Sequence, residues 1–359
     1  MNPAGGPGGG EPDVSVVVAV HNTMPYLTRC LTSLVEQSIG QRRMEAVVVD
    51  DGSTDGSSRE ITRFARRHPG LFTTVRQAHS GGPAAPSNRA LEAARGRYVF
   101  FLGADDHLAP RALEQMVTMA DNCRSDVLLC KMVPIGERTV PTGVFSRTAP
   151  LIRLVGDGLP WALSNTKLFR RSLIEEHGLR YDESMPAFSD QPFVLEACVR
   201  AQRISVLADQ PHYFAVRRAD GSNITFRTGA ETRLRCVERL FEATCRCLPA
   251  GPVRDAFHRR HFHVELFQLF DGAYPRLPAP VRQRVCNGAA RLVGTYGDGV
   301  VERLDTRRRR TLELARRGDD AGLCAEIAAD PQRTARPAPA TRRARLLRRF
   351  SFPATAADA

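Results

Sequence analysis

The sequence predicts an α/β protein with a mostly parallel, doubly wound sheet, followed by a C-terminal helical region. Three observations carry this. Apolar strand-like runs alternate with helical stretches between residues 14 and 133, the rhythm of βαβ units. The runs VSVVVAV, AVVVD and YVFFL lack polar alternation, as expected of strands covered on both faces. From about residue 230 the apolar residues of TRLRCVERLFEATCRCL, FHRRHFHVELFQLF and RRRRTLELARR fall at helical spacing.

Taken in order, residues 1–12 read as a disordered leader rich in Gly and Pro, unlike a signal peptide. Strands are expected over 14–20, 44–50, 71–76, 98–102 and 126–133, with helices over about 25–37, 57–67, 84–94 and 110–121 between them. After Pro134 the segments shorten, as in an antiparallel extension, with ISVLA (204–208) and HYFAVR (212–217) as strands around Asp209-Gln210-Pro211. The expected organisation is a leader (1–12), an α/β domain (13–228), a helical region (229–330) and a basic tail (331–359).

The composition, 42% apolar and 25% charged over 359 residues, is that of an ordinary globular chain of about two domains. No apolar run reaches the ~18–20 residues that span a bilayer. Nine cysteines without a CxxC pair read as reduced thiols, which points to the cytosol. The net charge is +12, carried almost wholly by arginine, with Lys131 and Lys167 the two lysines. Together with the abundant alanine this reads as compositional bias, which argues against specific nucleic-acid binding. Half the net charge lies in the tail, whose TRRARLLRRF stretch would suit the inner face of the cell membrane or an acidic polymer. A solvated tail is the plainer alternative. His258 and His261 share a helical face with no carboxylate or Cys nearby to complete a zinc site.

Four loops at expected strand ends have chemical character. The first strand ends at His21-Asn22. The second runs into VVVDDGSTDGS, where Asp50 and Asp51 precede a tight turn that caps a helix. HSGGPAAPSNRAL places Gly81, Gly82 and Pro83 ahead of a helix whose inner face carries Asn88. Finally, YVFFLGADDHLAP sets Asp105 and Asp106 side by side at the tip of a buried strand. Adjacent carboxylates repel, and burying them unpaired is costly, so a cation is expected there. A helix N-cap would explain one of them.

In this order, over about residues 13–226, the loops resemble those of the family 2 glycosyltransferases, inverting enzymes with the Rossmann-like GT-A nucleotide-diphospho-sugar transferase fold. The resemblance implies a nucleotide-sugar donor, with a UDP-sugar expected. It places His21, Asn22, Asp51, Asn88 and Asp105 around the nucleotide, and Asp105 and Asp106 on Mg²⁺ or Mn²⁺ at the diphosphate, with His212 as a further metal ligand. Oxygen ligands suit such hard ions. Many relatives place another Asp where Gly103 stands here, so the metal array lacks one carboxylate. In MPAFSDQPFVLEAC the resemblance implies that Asp190 is the general base, with Ser189 in place of the usual Glu. HYFAVRRADGSNITF resembles the stretch that closes over the diphosphate, giving Arg217, Arg218, Ser222 and Thr225. Upstream, Lys167 and Arg170 of WALSNTKLFRR read either as phosphate contacts or as a solvated helix face.

Within the family the segment 189–225 is most similar to bacterial transferases that decorate wall teichoic acid or related polyol-phosphate polymers. These carry C-terminal modules for assembly or polymer binding, so a homo-oligomer and a polyol-phosphate or glycan acceptor are the implied partners. The alternatives are a transferase for exopolysaccharide or lipid-linked glycan, and a sugar-nucleotide-binding or scaffold protein without turnover. The absence of GxGxxG after the first strand argues against a dinucleotide oxidoreductase.

Overall fold

The computed structural model describes residues 11–136, 138–218, 228–330 and 333. Ser222, Thr225, most of the leader and the basic tail other than Arg333 lie outside the described residues.

Strands β1 (Val14–Val20), β2 (Met44–Asp51), β3 (Phe72–Gln77) and β4 (Tyr98–Phe101) lie parallel in the order β3-β2-β1-β4. All of β2 and β4 is buried, and the valines of β1 and β2 suit a pleated surface covered on both sides. The crossovers are α1 (Tyr26–Val35), α2 (Ser57–Arg67) and α3 (Ala84–Ala93). In α1 the buried residues Leu27, Cys30, Leu31 and Leu34 recur at helical spacing and face the sheet. All four strands therefore end on one side, where the chemically distinctive loops gather.

Beyond β4 the sheet departs from a purely parallel arrangement. Two short strands, β5 (His107–Leu108) and, after α4 (Ala112–Cys123), β6 (Val127–Cys130), come next in the chain. The apolar run at 126–133, expected as one strand, is split at Lys131 into β6 and β7 (Met132–Ile135). The Lys131 N–H donates to Leu207 O (2.8 Å) in the large sheet, while its carbonyl accepts from His212 N (2.9 Å) beside the small one. A single residue thus hands the chain between sheets. The segment containing Lys167 and Arg170 is β8 (Lys167–Arg170), wedged antiparallel between β4 and β6, and α5 (Arg171–Glu176) follows it. After α6 (Asp190–Arg200) come β9 (Ile204–Leu207) and β10 (Tyr213–Val216). The large sheet reads β3-β2-β1-β4-β8-β6-β9 and the small one β5-β10-β7.

The C-terminal region is helical: α7 (Ala230–Cys247), α8 (Pro252–His261), a π-helical turn (Phe262–Leu266), α9 (Ala279–Tyr296), α10 (Thr306–Arg316) and α11 (Asp320–Ala328). It has its own apolar core, centred on Phe241, Phe262, Phe270 and Leu312. His258 and His261 both pack against the Phe241 ring, and His261 Nε2 meets Thr244 Oγ1 at 3.0 Å. Burial holds the His258 imidazole down at about 4, so these are neutral core histidines. Arg333, counted with the basic tail, is buried. Its guanidinium lies 4.4 Å from the Phe267 ring centroid and donates to Thr311 Oγ1 (2.7 Å). All nine cysteines are free thiols, and no described helix is long and apolar enough to cross a membrane.

Candidate active site

A cleft of about 760 Å³ opens at the carboxyl ends of β1, β2 and β4 and reaches the segment before α6 and the start of the helical region. One end is built by the first two loops. The His21 ring stacks on His79 with centroids 3.8 Å apart, and its Nδ1 lies 2.6 Å from Asp51 O. Asp51 is buried and accepts from Gln77 Nε2 (2.7 Å), His79 Nδ1 (2.9 Å) and Ser80 N (3.0 Å), which ties β2 to the Gly-rich segment. The crossing is close. At Gly52, φ is +69°, and a Cβ would sit 2.7 Å from His79 N, so a side chain there would be both strained and blocked. Asp55 accepts from Ser57 N (2.9 Å) at the start of α2 and from Met24 N (2.8 Å) in the first loop, which joins the two loops.

His21 and Asp51 line this end of the cleft, whereas Asn22 and Asn88 serve the walls. Asn22, at φ 48°, accepts Thr54 N on its Oδ1 (2.8 Å) and so fastens the first loop to the second. Asn88 is buried, with its amide donating to Tyr181 O (3.0 Å) and Glu183 Oε1 (2.9 Å) and accepting Tyr181 N (2.9 Å). Both were expected at the nucleotide. Each amide is instead satisfied within the protein.

Among the described residues, His21, Asp51 and His79 form a group whose ligand atoms lie within 4.8 Å of one another. Two imidazoles suit zinc or copper better than a hard ion on a diphosphate. The Asp51 oxygens are also already engaged by Gln77, His79 and Ser80.

The two carboxylates at the tip of β4 separate. Asp105 lines the cleft, with its Oδ2 2.9 Å from Arg218 Nε. Asp106 points inward and is only 2% exposed. It accepts from Tyr213 Oη, from Val216 N (2.6 Å) and from Arg138 Nη1 (2.9 Å), and burial raises its carboxyl to about 7. Both oxygens are occupied, so the expectation that Asp106 faces a metal is corrected: it anchors the strand tip to β10. Neither Asp is an N-cap, since α4 begins at Ala112 with no side-chain cap. His212, expected near the metal, is wholly buried away from the cleft with Nε2 3.6 Å from Asp209 Oδ1, and burial lowers its pKa. Of the two carboxylates, that of Asp105 lines the cleft, and a carboxylate oxygen is the donor type that hard ions such as Mg²⁺ or Mn²⁺ take.

Arg218 lines the cleft, while the Arg217 N–H extends the β10–β7 pairing by donating to Ile135 O (3.1 Å). Lys167 does not reach phosphate. Its Nζ is buried and donates to Ala162 O (2.6 Å) and Ser164 O, with burial lowering it to about 8. Arg170 pairs with Asp126 (3.1 Å).

Asp190, which also lines the cleft, is the first residue of α6, with Ser189 as N-cap. Phe188 just before it has φ 62°, uncommon for a bulky residue and a frequent mark of functional strain. Burial pushes the Asp190 carboxyl above its ordinary value, while Lys167, Arg260 and the Asn165 N–H pull it back. Sequence reasoning missed Arg138, Tyr213, His79 and Arg260. His79, Tyr213 and Arg260 sat in segments already singled out, but for other residues.

Residues 15–178 match the family model described as glycosyl transferase family 2, and residues 232–327 match the glycosyl transferase TarS linker domain. The chain is 36% identical over 204 residues to poly(ribitol-phosphate) beta-N-acetylglucosaminyltransferase TarS of Staphylococcus aureus, covering 57% of this chain and 35% of the relative. It is 34% identical over 212 residues to a poly(ribitol-phosphate) beta-glucosyltransferase of Bacillus spizizenii, covering 59% and 33%. The chain thus spans about a third of the length of these curated relatives. The crystal structure of S. aureus TarS 1–349 in complex with UDP-GlcNAc superposes with a TM-score of 0.76 at 28% identity, covering 89% of this chain and 92% of that one.

Proposed function

Residues 15–178 are a family 2 glycosyltransferase domain with the GT-A fold, joined to a TarS-type linker domain, and we propose that the chain transfers a sugar from a UDP-sugar to a hydroxyl of a polyol-phosphate polymer with inversion. One observation carries this reading. Asp105, in the loop after β4, and Asp190, at the start of α6, line the same cleft, one suited to the leaving diphosphate and the other to the incoming hydroxyl. The polymer acceptor and the UDP donor rest on the named activities of the relatives and on the UDP-GlcNAc complex.

In this mechanism the His21–His79 stack and Asp51 receive the base and ribose, and Arg218 offers its guanidinium to the phosphate oxygens. A divalent cation held by Asp105 would supply charge neutralisation on the departing diphosphate. Asp190, ionised, accepts the acceptor's proton as its oxygen attacks the anomeric carbon from the opposite face. Ser222 and Thr225 as further diphosphate contacts, self-association through the helical region, and a membrane or polymer contact through the tail belong to the same proposal.

The test is UDP release from UDP-GlcNAc and UDP-glucose with poly(ribitol phosphate) as acceptor, with and without Mn²⁺, and the anomeric configuration of the product. Acceptor-dependent release with inversion is expected. UDP binding without release under any of these conditions would favour a binding protein, and a retained configuration would remove Asp190 from its role.

A further inference from the structure

The segment that leads into Asp190 packs on the helical region. Met185 and Ala187 are buried against Cys236 and Leu240 of α7, and the Phe188 ring packs against the core that contains Phe241 and Phe262. Gln191, the residue after Asp190, is only 6% exposed and inserts into a charged pair. Its Nε2 donates to Glu265 Oε1 (2.9 Å), and its Oε1 accepts from Arg260 Nη1 (2.5 Å). Arg260 and Glu265 also pair directly, with side chains 10% and 2% exposed. A buried charged pair is weak evidence for stability, because well-packed apolar residues often do as well. Here the pair uses both ends of the neighbouring amide and fixes its orientation. Glu265 lies on the π-helical turn that interrupts the helix after His261, an irregularity often associated with functional sites. Met185, Ala187, Phe188 and Gln191 thus have partners in the helical region on both flanks of Asp190.

We infer that the helical region is a working part of the catalytic centre: Arg260 and Glu265, acting through Gln191, are positioning residues that hold Asp190 toward the cleft. This rests on the reading of Asp190 as the base. With the clasp released, Gln191 would no longer fix the first turn of α6, and the carboxylate would no longer be kept at hydrogen-bonding distance from an incoming hydroxyl. Misplacement of a catalytic group by about 1 Å costs on the order of 100-fold in rate. The nucleotide end lies on β1, β2 and β4 and does not depend on these contacts.

The test uses the full chain with Gln191→Leu and the paired Arg260→Met/Glu265→Leu variant, which removes both charges together. The measurements are kcat with UDP-GlcNAc or UDP-glucose, whichever the wild type turns over, UDP affinity by calorimetry, and Tm. Expected is a fall in kcat of tenfold or more with UDP affinity within twofold of wild type. Leu312→Ala, which opens a cavity in the same helical core at a residue that makes none of the clasp's hydrogen bonds, should lower Tm and leave kcat near normal. If the paired variant fails to fold, Gln191→Leu, which leaves the helical region untouched, decides. Normal kcat in Gln191→Leu, or an equal loss in Leu312→Ala at the same temperature below both Tm values, overturns the inference. Asp190→Asn is measured beside them. If it is active, the base assignment fails; if it is inactive while the clasp variants are normal, only the positioning role fails.

Discussion

Arg218 Nε lies 2.9 Å from Asp105 Oδ2, while Asp106, one residue on, is turned into the protein against Tyr213 and Val216. Adjacent carboxylates therefore have different work. Asp105→Asn should lower Mn²⁺-dependent turnover by about 100-fold or more with little change in Tm. Asp106→Asn should chiefly destabilise, by roughly 1–3 kcal/mol, since both Asp106 oxygens accept hydrogen bonds and an amide NH2 in place of one of them would face a donor in a buried setting. Parallel kcat and chemical-denaturation measurements separate the two, and the opposite pattern would restore Asp106 as the ligand.

Asp190→Asn should reduce kcat by at least about 100-fold and leave UDP affinity within twofold. The base works only when ionised, and its pKa is raised. In the wild type kcat/KM should therefore climb with pH through a midpoint above the ordinary carboxylate range, then level off. A pH profile flat down to that range would contradict this.

Gly52→Ala puts a Cβ against the His79 backbone at positive φ. A cost of about 1–3 kcal/mol is expected, together with weaker UDP binding as His79 and Ser80 shift from Asp51. Calorimetry on the folded variant checks the second effect, and unchanged affinity would detach this turn from the nucleotide.

Lys167 gives a stability signature at alkaline pH. Its folded pKa is lowered to about 8, so between there and the ordinary lysine value the unfolded chain holds a proton that the native state has released. Wild-type stability should gain up to about 3 kcal/mol across that interval relative to Lys167→Met. Below about pH 8 the difference between the two should be constant. Parallel curves over the whole range would mean that the ammonium is not desolvated.

The α/β rhythm and all four loops were legible because parallel strands and their crossovers are local in sequence. The division of 126–133 at Lys131 was not: VLLC and MVPI are equally apolar, and only the partners at Leu207 and His212 distinguish the sheets. At the site, residue types were readable and directions were not. Asp105 and Asp106 look alike in GADDH, and their roles diverge because Tyr213, more than a hundred residues later, takes one of them. Asn22 and Asn88 failed as cleft residues for a similar reason, since an amide serves a wall as well as a ligand. The contribution of Arg260 and Glu265 had no local signal, as the two meet Gln191 only after the helical region has packed.

Gly103 closes the strand tip to any larger side chain as long as its neighbours stay in place. A Cβ at this position would lie 2.6 Å from Asp106 Oδ2, 3.2 Å from Tyr213 Oη and 3.3 Å from Asp105 Oδ1. An aspartate at this position would drive a third carboxylate into an oxygen-lined space already closed by the Asp106–Tyr213 contact. The gain of a ligand would be cancelled by loss of the anchor. A fuller acidic array at this strand tip therefore requires Tyr213 or Asp106 to move first, an order of events that paired substitutions at positions 103 and 213 can read out directly.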